Sequence, residues 1–144
     1  SPEAVVAALD TVYRLSAPHK IALLGNMNEL GEYSKNAHIF IGEHCDPKEL
    51  DEVITLGPDA NAYLADVARD RGCNVTSFDS PYAAGEYLRS IVRKDSLILV
   101  KGSQNFVFAE EAIKPILANS DDATKLVRQS SDWMAVKQVQ FTDA

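Results

Sequence analysis

LILVKGSQNF, residues 97–106, sets the reading of the whole chain. Leu97–Val100 is an apolar run of strand length, and it stops abruptly in lysine, glycine and serine. Ala109–Ala118 then follows with helix-like spacing. A strand ending this way ahead of a helix puts a positive charge and a hydroxyl beside unpaired amides, an arrangement that suits a carboxylate or a phosphate. Lys101, Ser103 and the amides of Ser103 and Gln104 are the groups concerned. The plainer alternative is that Ser103 caps the helix and Lys101 is solvated.

Working outward, the same alternation recurs upstream. Ser1-Pro2-Glu3 combines a capping hydroxyl, a proline at the first helical position and an acid in the first turn. Val5, Leu9, Val12 and Tyr13 then share one helical face. Ile21–Leu24, closed by Gly25, predicts a buried strand, followed by a helix over about Ser34–Cys45 with Ala37, Ile41 and Cys45 on one side. Val53–Leu56 ends at Gly57-Pro58, and the next helix turns Ala60, Leu64, Val67 and Ala68 inward before stopping at Gly72. Val75–Phe78 is a third strand. Ser80-Pro81 repeats the cap-and-proline start for a helix burying Ala84, Tyr87, Leu88 and Ile91.

Four buried strands separated by helices predict a doubly wound α/β domain, its sheet mostly parallel with helices on both faces. Residues 1–144 read as a single domain whose tail, 119–144, carries less pattern. Within it, SDDATKLVRQ resembles a capped helix and AVKQVQF fits a strand or a helix. Pro115 is expected to kink or shorten the helix before the tail.

At 144 residues, 46% of them hydrophobic, the chain can bury a substantial core. A net charge of −7 argues against nucleic acid as a partner, because phosphate backbones need a basic face. No apolar run is long enough for a membrane span, and SPEAVVAALD lacks the basic start of a signal peptide, so a cytoplasmic location is expected. Cys45 and Cys73 lack metal-type spacing and read as inert thiols in a reducing compartment.

Ligands of open parallel sheets bind beyond the carboxyl ends of the strands. Two loops there carry polar residues: LGNMNELGEYS, residues 24–34, and KGSQNF, residues 101–106. Asn26, Asn28 and Glu29 in the first read as turn residues, with a contact to a metal or a substrate amine as the alternative for Glu29. Neither a G-x-G-x-x-G nor a G-x-x-x-x-G-K-[ST] loop occurs, so the chain has no phosphate-gripping loop of its own. No histidine pairs with a nucleophile; His38 reads as packing or as a support for other groups. Trp133, in the tail, reads as core or contact surface.

KIALLGNMNELGEYSKNAH (20–38), DEVITLGPDA (51–60) and LILVKGSQNFVFAEEAIKPIL (97–117) together resemble the C-terminal domain of the Mur ligase family. The resemblance spans about residues 1–118 and is nearest to the branch that adds D-alanyl-D-alanine to UDP-N-acetylmuramoyl tripeptide. That branch shows a strand followed by L-G-D-M-x-E-L-G, a helix with a histidine, and later V-K-G-S. Here these are Leu24–Gly31, His38 and Val100–Ser103, with Asn26 in place of the family's aspartate.

The resemblance implies a Rossmann-like C-terminal domain of an ATP-dependent amide ligase of peptidoglycan precursor synthesis. ATP and Mg2+ would be held mainly by a central domain, and a further N-terminal domain would hold the UDP-linked precursor. By itself the chain is then expected to be inactive, with no catalytic residue and no metal site of its own. Its substrate contacts would be Lys101, Ser103, Gln104, Asn26 and Glu29, holding the carboxylate of D-alanyl-D-alanine and placing its amine for attack. Folylpolyglutamate and cyanophycin synthetases carry related domains and form one alternative. A stand-alone, non-catalytic module that binds a small carboxylate or a partner protein forms another.

Overall fold

A computed structural model describes residues 1–28, 30–103 and 107–117, together with Met134, Lys137, Gln140 and Phe141. Helix α1 (Pro2–Arg14) starts as its sequence requires, with the Ser1 hydroxyl accepting from the Ala4 amide at 3.2 Å and Pro2 in the first turn. Strand β1 (His19–Gly25) is buried along its whole length. Helix α2 (Ser34–His44) follows a short 3-10 turn at Gly31–Tyr33. Strand β2 (Glu52–Leu56) leads to a π-helical turn, Ala60–Leu64, that continues as α3 (Ala65–Asp70). Strand β3 (Val75–Phe78), helix α4 (Pro81–Ile91, capped by Ser80) and strand β4 (Ser96–Lys101) complete the alternation.

All three strand pairings are parallel, in the order β3-β2-β1-β4. The expected doubly wound α/β fold is therefore present, with an apolar layer on each face of the sheet. On one face Val5, Leu9 and Val12 of α1 and Ile41 of α2 pack with Ala22, Leu24 and Val53. On the other, Ala84 and Leu88 of α4 pack with Ile21, Leu23, Ile54 and Leu56. Strand alternation sends successive residues to opposite layers. The Tyr13 hydroxyl ties α1 to the end of α2, donating to the His44 carbonyl at 2.7 Å and accepting from the Asp46 amide at 3.0 Å.

One expectation needs correction. The helical stretch expected over Ala109–Ala118 is present as a 3-10 helix, Ala109–Ile116, containing Pro115, and Phe108 rather than Ser103 stands at its cap position. Proline has no N–H to donate in either winding, and the helix ends one residue beyond it. AVKQVQF, open from sequence to strand or helix, takes the second form where it is described. Its described members Lys137, Gln140 and Phe141 are helical, as is Met134. SDDATKLVRQ and Trp133 lie outside the described residues.

Candidate functional site

From β1 the chain moves to β2 and β3 on one side, then returns to pair β4 on the other. The strand order therefore reverses between β1 and β4, and ligands of such sheets sit beyond the strand ends at that point. The two polar loops singled out from sequence emerge there side by side. A Cβ on Gly25 would lie 2.8 Å from Val107 Cγ1 and 3.3 Å from Gly102 Cα, so the strand ends approach this closely only because Gly25 has no side chain.

Hydrogen bonds join the loops. The Ser103 amide donates to the Asn26 carbonyl at 3.0 Å, and the Asn28 amide donates to Ser103 Oγ at 2.6 Å. Ser103 is thus committed to the first loop. Its amide is occupied, which removes it from the set expected to face an anion.

Asn26 is the junction. Its amide donates to the Leu56 carbonyl, and its Oδ1 accepts from the amides of Asp59 (2.7 Å) and Ala60 (2.9 Å). It caps the helical segment after β2 from more than thirty residues away, satisfying donors that no local side chain reaches. Gly57 adopts φ +107°, and a Cβ there would fall 2.8 Å from Asn26 Cβ, so glycine is required on both counts. Asparagine keeps the acceptor that the family's aspartate would supply. It adds a donor, Nδ2, which reaches Asn28 Oδ1 at 3.2 Å.

His38 supports the same loop from below. Fully buried, it accepts from the Met27 amide at Nε2 (3.1 Å) and donates from Nδ1 to the Ser34 carbonyl (2.8 Å). Both ring nitrogens are engaged, which fixes the neutral tautomer and leaves no lone pair for base catalysis. Ser34 Oγ in turn donates to Asp59 Oδ2 at 2.5 Å.

Above this network opens a cleft of about 450 Å3. Asn26, Asn28, Asp79 and Gln140 give it polar walls, and Leu56, Val107 and Phe141 apolar ones. The polar contribution is three amides and one carboxylate, and Asp79 itself accepts from Asn61 Nδ2 at 3.2 Å. Asn61 also bonds Thr55 Oγ1, which is fully buried in β2 beside Ser77. No lysine, arginine or histidine is among the described lining residues.

The structure therefore brings Asn26, Asn28 and Ser103 together and separates Lys101 from them. Leu97 and Leu99 of β4 pack on the α1–α2 layer, whereas Ile98 and Val100 face the other layer. By alternation Lys101 lies on the α1–α2 side, away from the cleft walls. It is half-buried, and no ion pair or hydrogen bond engages its ammonium among the described residues. Glu29 and Gln104, also expected as substrate contacts, lie outside the described residues. Asp79 and the tail pair Gln140 and Phe141 escaped the sequence reading. Thr55 was the available flag for the Asn61–Asp79 network, as a hydroxyl in a strand buried on both faces.

No group of three or more His, Cys, Asp or Glu side chains among the described residues converges on a metal position. Nor is any helix among the described residues long and apolar enough to cross a membrane.

Residues 1–104 match the family described as Mur ligase, glutamate ligase domain. A UDP-N-acetylmuramoyl-tripeptide–D-alanyl-D-alanine ligase of Treponema pallidum (strain Nichols) is 29% identical over 119 residues, which cover 81% of this chain and 25% of that protein. The chain thus spans about a quarter of the length of that relative. The MurF ligase of Thermotoga maritima, solved in complex with ADP, superposes with a TM-score of 0.63 at 26% identity, over 87% of this chain and 27% of that one. MurF of Acinetobacter baumannii shares the fold, with a TM-score of 0.66 at 20% identity over 78% of this chain and 25% of that one. With its parallel sheet, its paired loops and a family match over most of its length, the chain belongs to the Mur ligase, glutamate ligase domain family.

Proposed function

We propose that this chain is a single C-terminal domain of an ATP-dependent ligase that adds D-alanyl-D-alanine to UDP-N-acetylmuramoyl tripeptide in peptidoglycan precursor synthesis. In this reading the domain closes over the rest of the enzyme and presents the dipeptide. The observation that carries it is the junction of the two motif loops. Asn26, Asn28 and Ser103 bond to one another at the β1–β4 reversal, directly beneath the cleft.

The cleft suits a small peptide. Side-chain amides match a peptide group's donor and acceptor, and Leu56, Val107 and Phe141 offer apolar surface to short methyl side chains. Lys101 faces the α1–α2 side of the same strand end, so it would act on the dipeptide carboxylate, or on an adjoining phosphate, by charge from beside the cleft rather than as one of its walls. Glu29 and Gln104 complete the candidate set of contacts.

Central and N-terminal domains of the complete ligase would bind ATP, Mg2+ and the nucleotide-linked precursor. The reaction would take place in the cytoplasm. This domain's contribution is orientation: it holds the dipeptide amine in line with an activated carbonyl presented by the rest of the enzyme.

Steady-state kinetics of the complete ligase test the reading. ADP release should depend on D-alanyl-D-alanine, and Lys101→Ala should raise the dipeptide KM about tenfold, equivalent to roughly 1.4 kcal/mol, while the KM for ATP holds. Dipeptide-independent turnover would remove the proposed substrate. Unchanged dipeptide kinetics in the variant would remove Lys101.

A further inference from the structure

The tail reaches the cleft through a buried charge cluster. Lys137 is fully buried, which a lysine tolerates only when paired. Its ammonium lies 2.9 Å from Glu111 Oε2 and 3.3 Å from Glu110 Oε1, and 5.3 Å from the centroid of the Phe108 ring. Both carboxylates are buried as well. Glu111 Oε1 also accepts from Lys114 Nζ at 2.8 Å and from the Tyr82 hydroxyl at 3.2 Å. Among the described residues Lys114 and Lys137 meet Glu110 and Glu111 here, so removing Lys137 takes a cation from beside two buried carboxylates.

Gln140 and Phe141 follow Lys137 by three and four residues, the helical spacing that places them on its face. Both line the cleft. The Phe141 ring stands edge-on to Tyr82 (5.7 Å, 81°) and to Phe108 (6.2 Å, 83°). Phe108 adopts a left-handed backbone, φ 53° and ψ 41°, which is uncommon for a bulky residue and persists only where its surroundings hold it. Its ring lies against both the Lys137 ammonium and Phe141. Charge pairing, aromatic contact and backbone strain thus meet at the point where the tail joins the cleft.

We propose that Lys137 is a positioning residue for the cleft: seated on Glu110 and Glu111, it holds Gln140 and Phe141 as the wall through which the tail completes the ligand site. The inference takes the cleft as the ligand site, as proposed above. It adds that the tail shapes that site and that the lysine acts through the two residues beyond it.

Fluorine NMR on the 144-residue chain, with 4-fluorophenylalanine at position 141, tests this. In the parent the Phe141 resonance should be shifted by the surrounding rings and respond less to exchange of H2O for D2O than the free amino acid does. Lys137→Met should move it to the position of the free amino acid and make it solvent-sensitive, while core methyl resonances of β1 and β2 hold. Lys137→Arg should keep the parent signal. Glu110→Gln, a milder change to the same cluster, should shift the signal part of the way and serves if Lys137→Met does not fold. A Phe141 resonance that stays in place in Lys137→Met, or in Glu110→Gln when that alone folds, would overturn the proposal. Millimolar D-alanyl-D-alanine, added to the parent, separates the two readings. A Phe141 signal released by Lys137→Met but indifferent to the dipeptide supports the role of Lys137 and removes the dipeptide.

Discussion

The two faces of the sheet are held in different ways. Under α1 and α2 the packing is almost purely apolar: Val5, Leu9, Val12 and Ile41 meet Ala22, Leu24 and Val53, with Cys45 and Cys73 as buried thiols. On the α4 side the apolar layer runs out towards the cleft. There Glu110, Glu111, Lys114 and Lys137 interlock beside Phe108 and Tyr82. The first face loses stability in proportion to the atoms removed. The second is more brittle, because a buried charge that loses one of its partners is poorly placed to recover the difference from water.

That contrast can be broken most directly at Lys137. Lys137→Ala should destabilise the fold by about 3–5 kcal/mol, the usual cost of removing one partner of a buried ion pair, read as a fall in the urea midpoint. Replacing Glu110, Glu111, Lys114 and Lys137 together by apolar residues of similar volume should recover much of the loss. If Lys137→Ala melted like the parent, the cluster would not be holding the tail. On the apolar face, Leu9→Ala should cost about 3 kcal/mol from lost burial and the cavity left behind, with no rescue by any charge change.

Asn26 offers a smaller and sharper comparison. Asn26→Ala strips the cap from the Asp59 and Ala60 amides and should cost about 1–2 kcal/mol. Asn26→Asp keeps that acceptor and loses only the Nδ2 bond to Asn28, so it should stay within about 1 kcal/mol of the parent. Equal losses in the two variants would show that the cap is not what Asn26 contributes.

Alkaline pH affects both faces, and the sign follows from burial. Desolvation pushes the Cys45 thiol up from 9.0 to about 12 and raises Cys73. Tyr82 rises from 10.0 to about 12, first by desolvation and then through the Glu111 charge beside it; burial raises Tyr13 too. Each group keeps its proton longer in the folded chain than in the unfolded one. Their stabilisation is therefore complete below pH 9 and drains away as pH climbs towards 12. The urea midpoint should be flat around neutrality and fall through that window. A midpoint that stays level there would contradict the burial assigned to these side chains.

What was legible in the sequence follows the same divide. Apolar period and end signals marked the helices and strands: Ser1-Pro2 and Ser80-Pro81 start helices, Val75–Phe78 is a strand, and Gly25 and Gly57 stand where strands end. Each of those signals lies within a few residues of its effect. The cap that Asn26 provides acts on Asp59 and Ala60, so from sequence the residue reads as a turn former or a substrate contact and not as a cap. Lys137 and its two glutamates are separated by more than twenty residues, and nothing local distinguishes a buried lysine from a solvated one. The KGS turn was placed at the right strand end, yet its serine is engaged by the other motif loop rather than offered to a ligand.

Amide NMR of the isotope-labelled chain during titration with D-alanyl-D-alanine tests the central claim most directly. The account predicts saturable shifts at millimolar dipeptide, confined to the Asn26–Asn28 loop, Gly57, Asp79 and the Gln140 side-chain amide, with the α1–α2 layer unmoved. No shift in that concentration range, or shifts clustered away from the β1–β4 reversal, would contradict it.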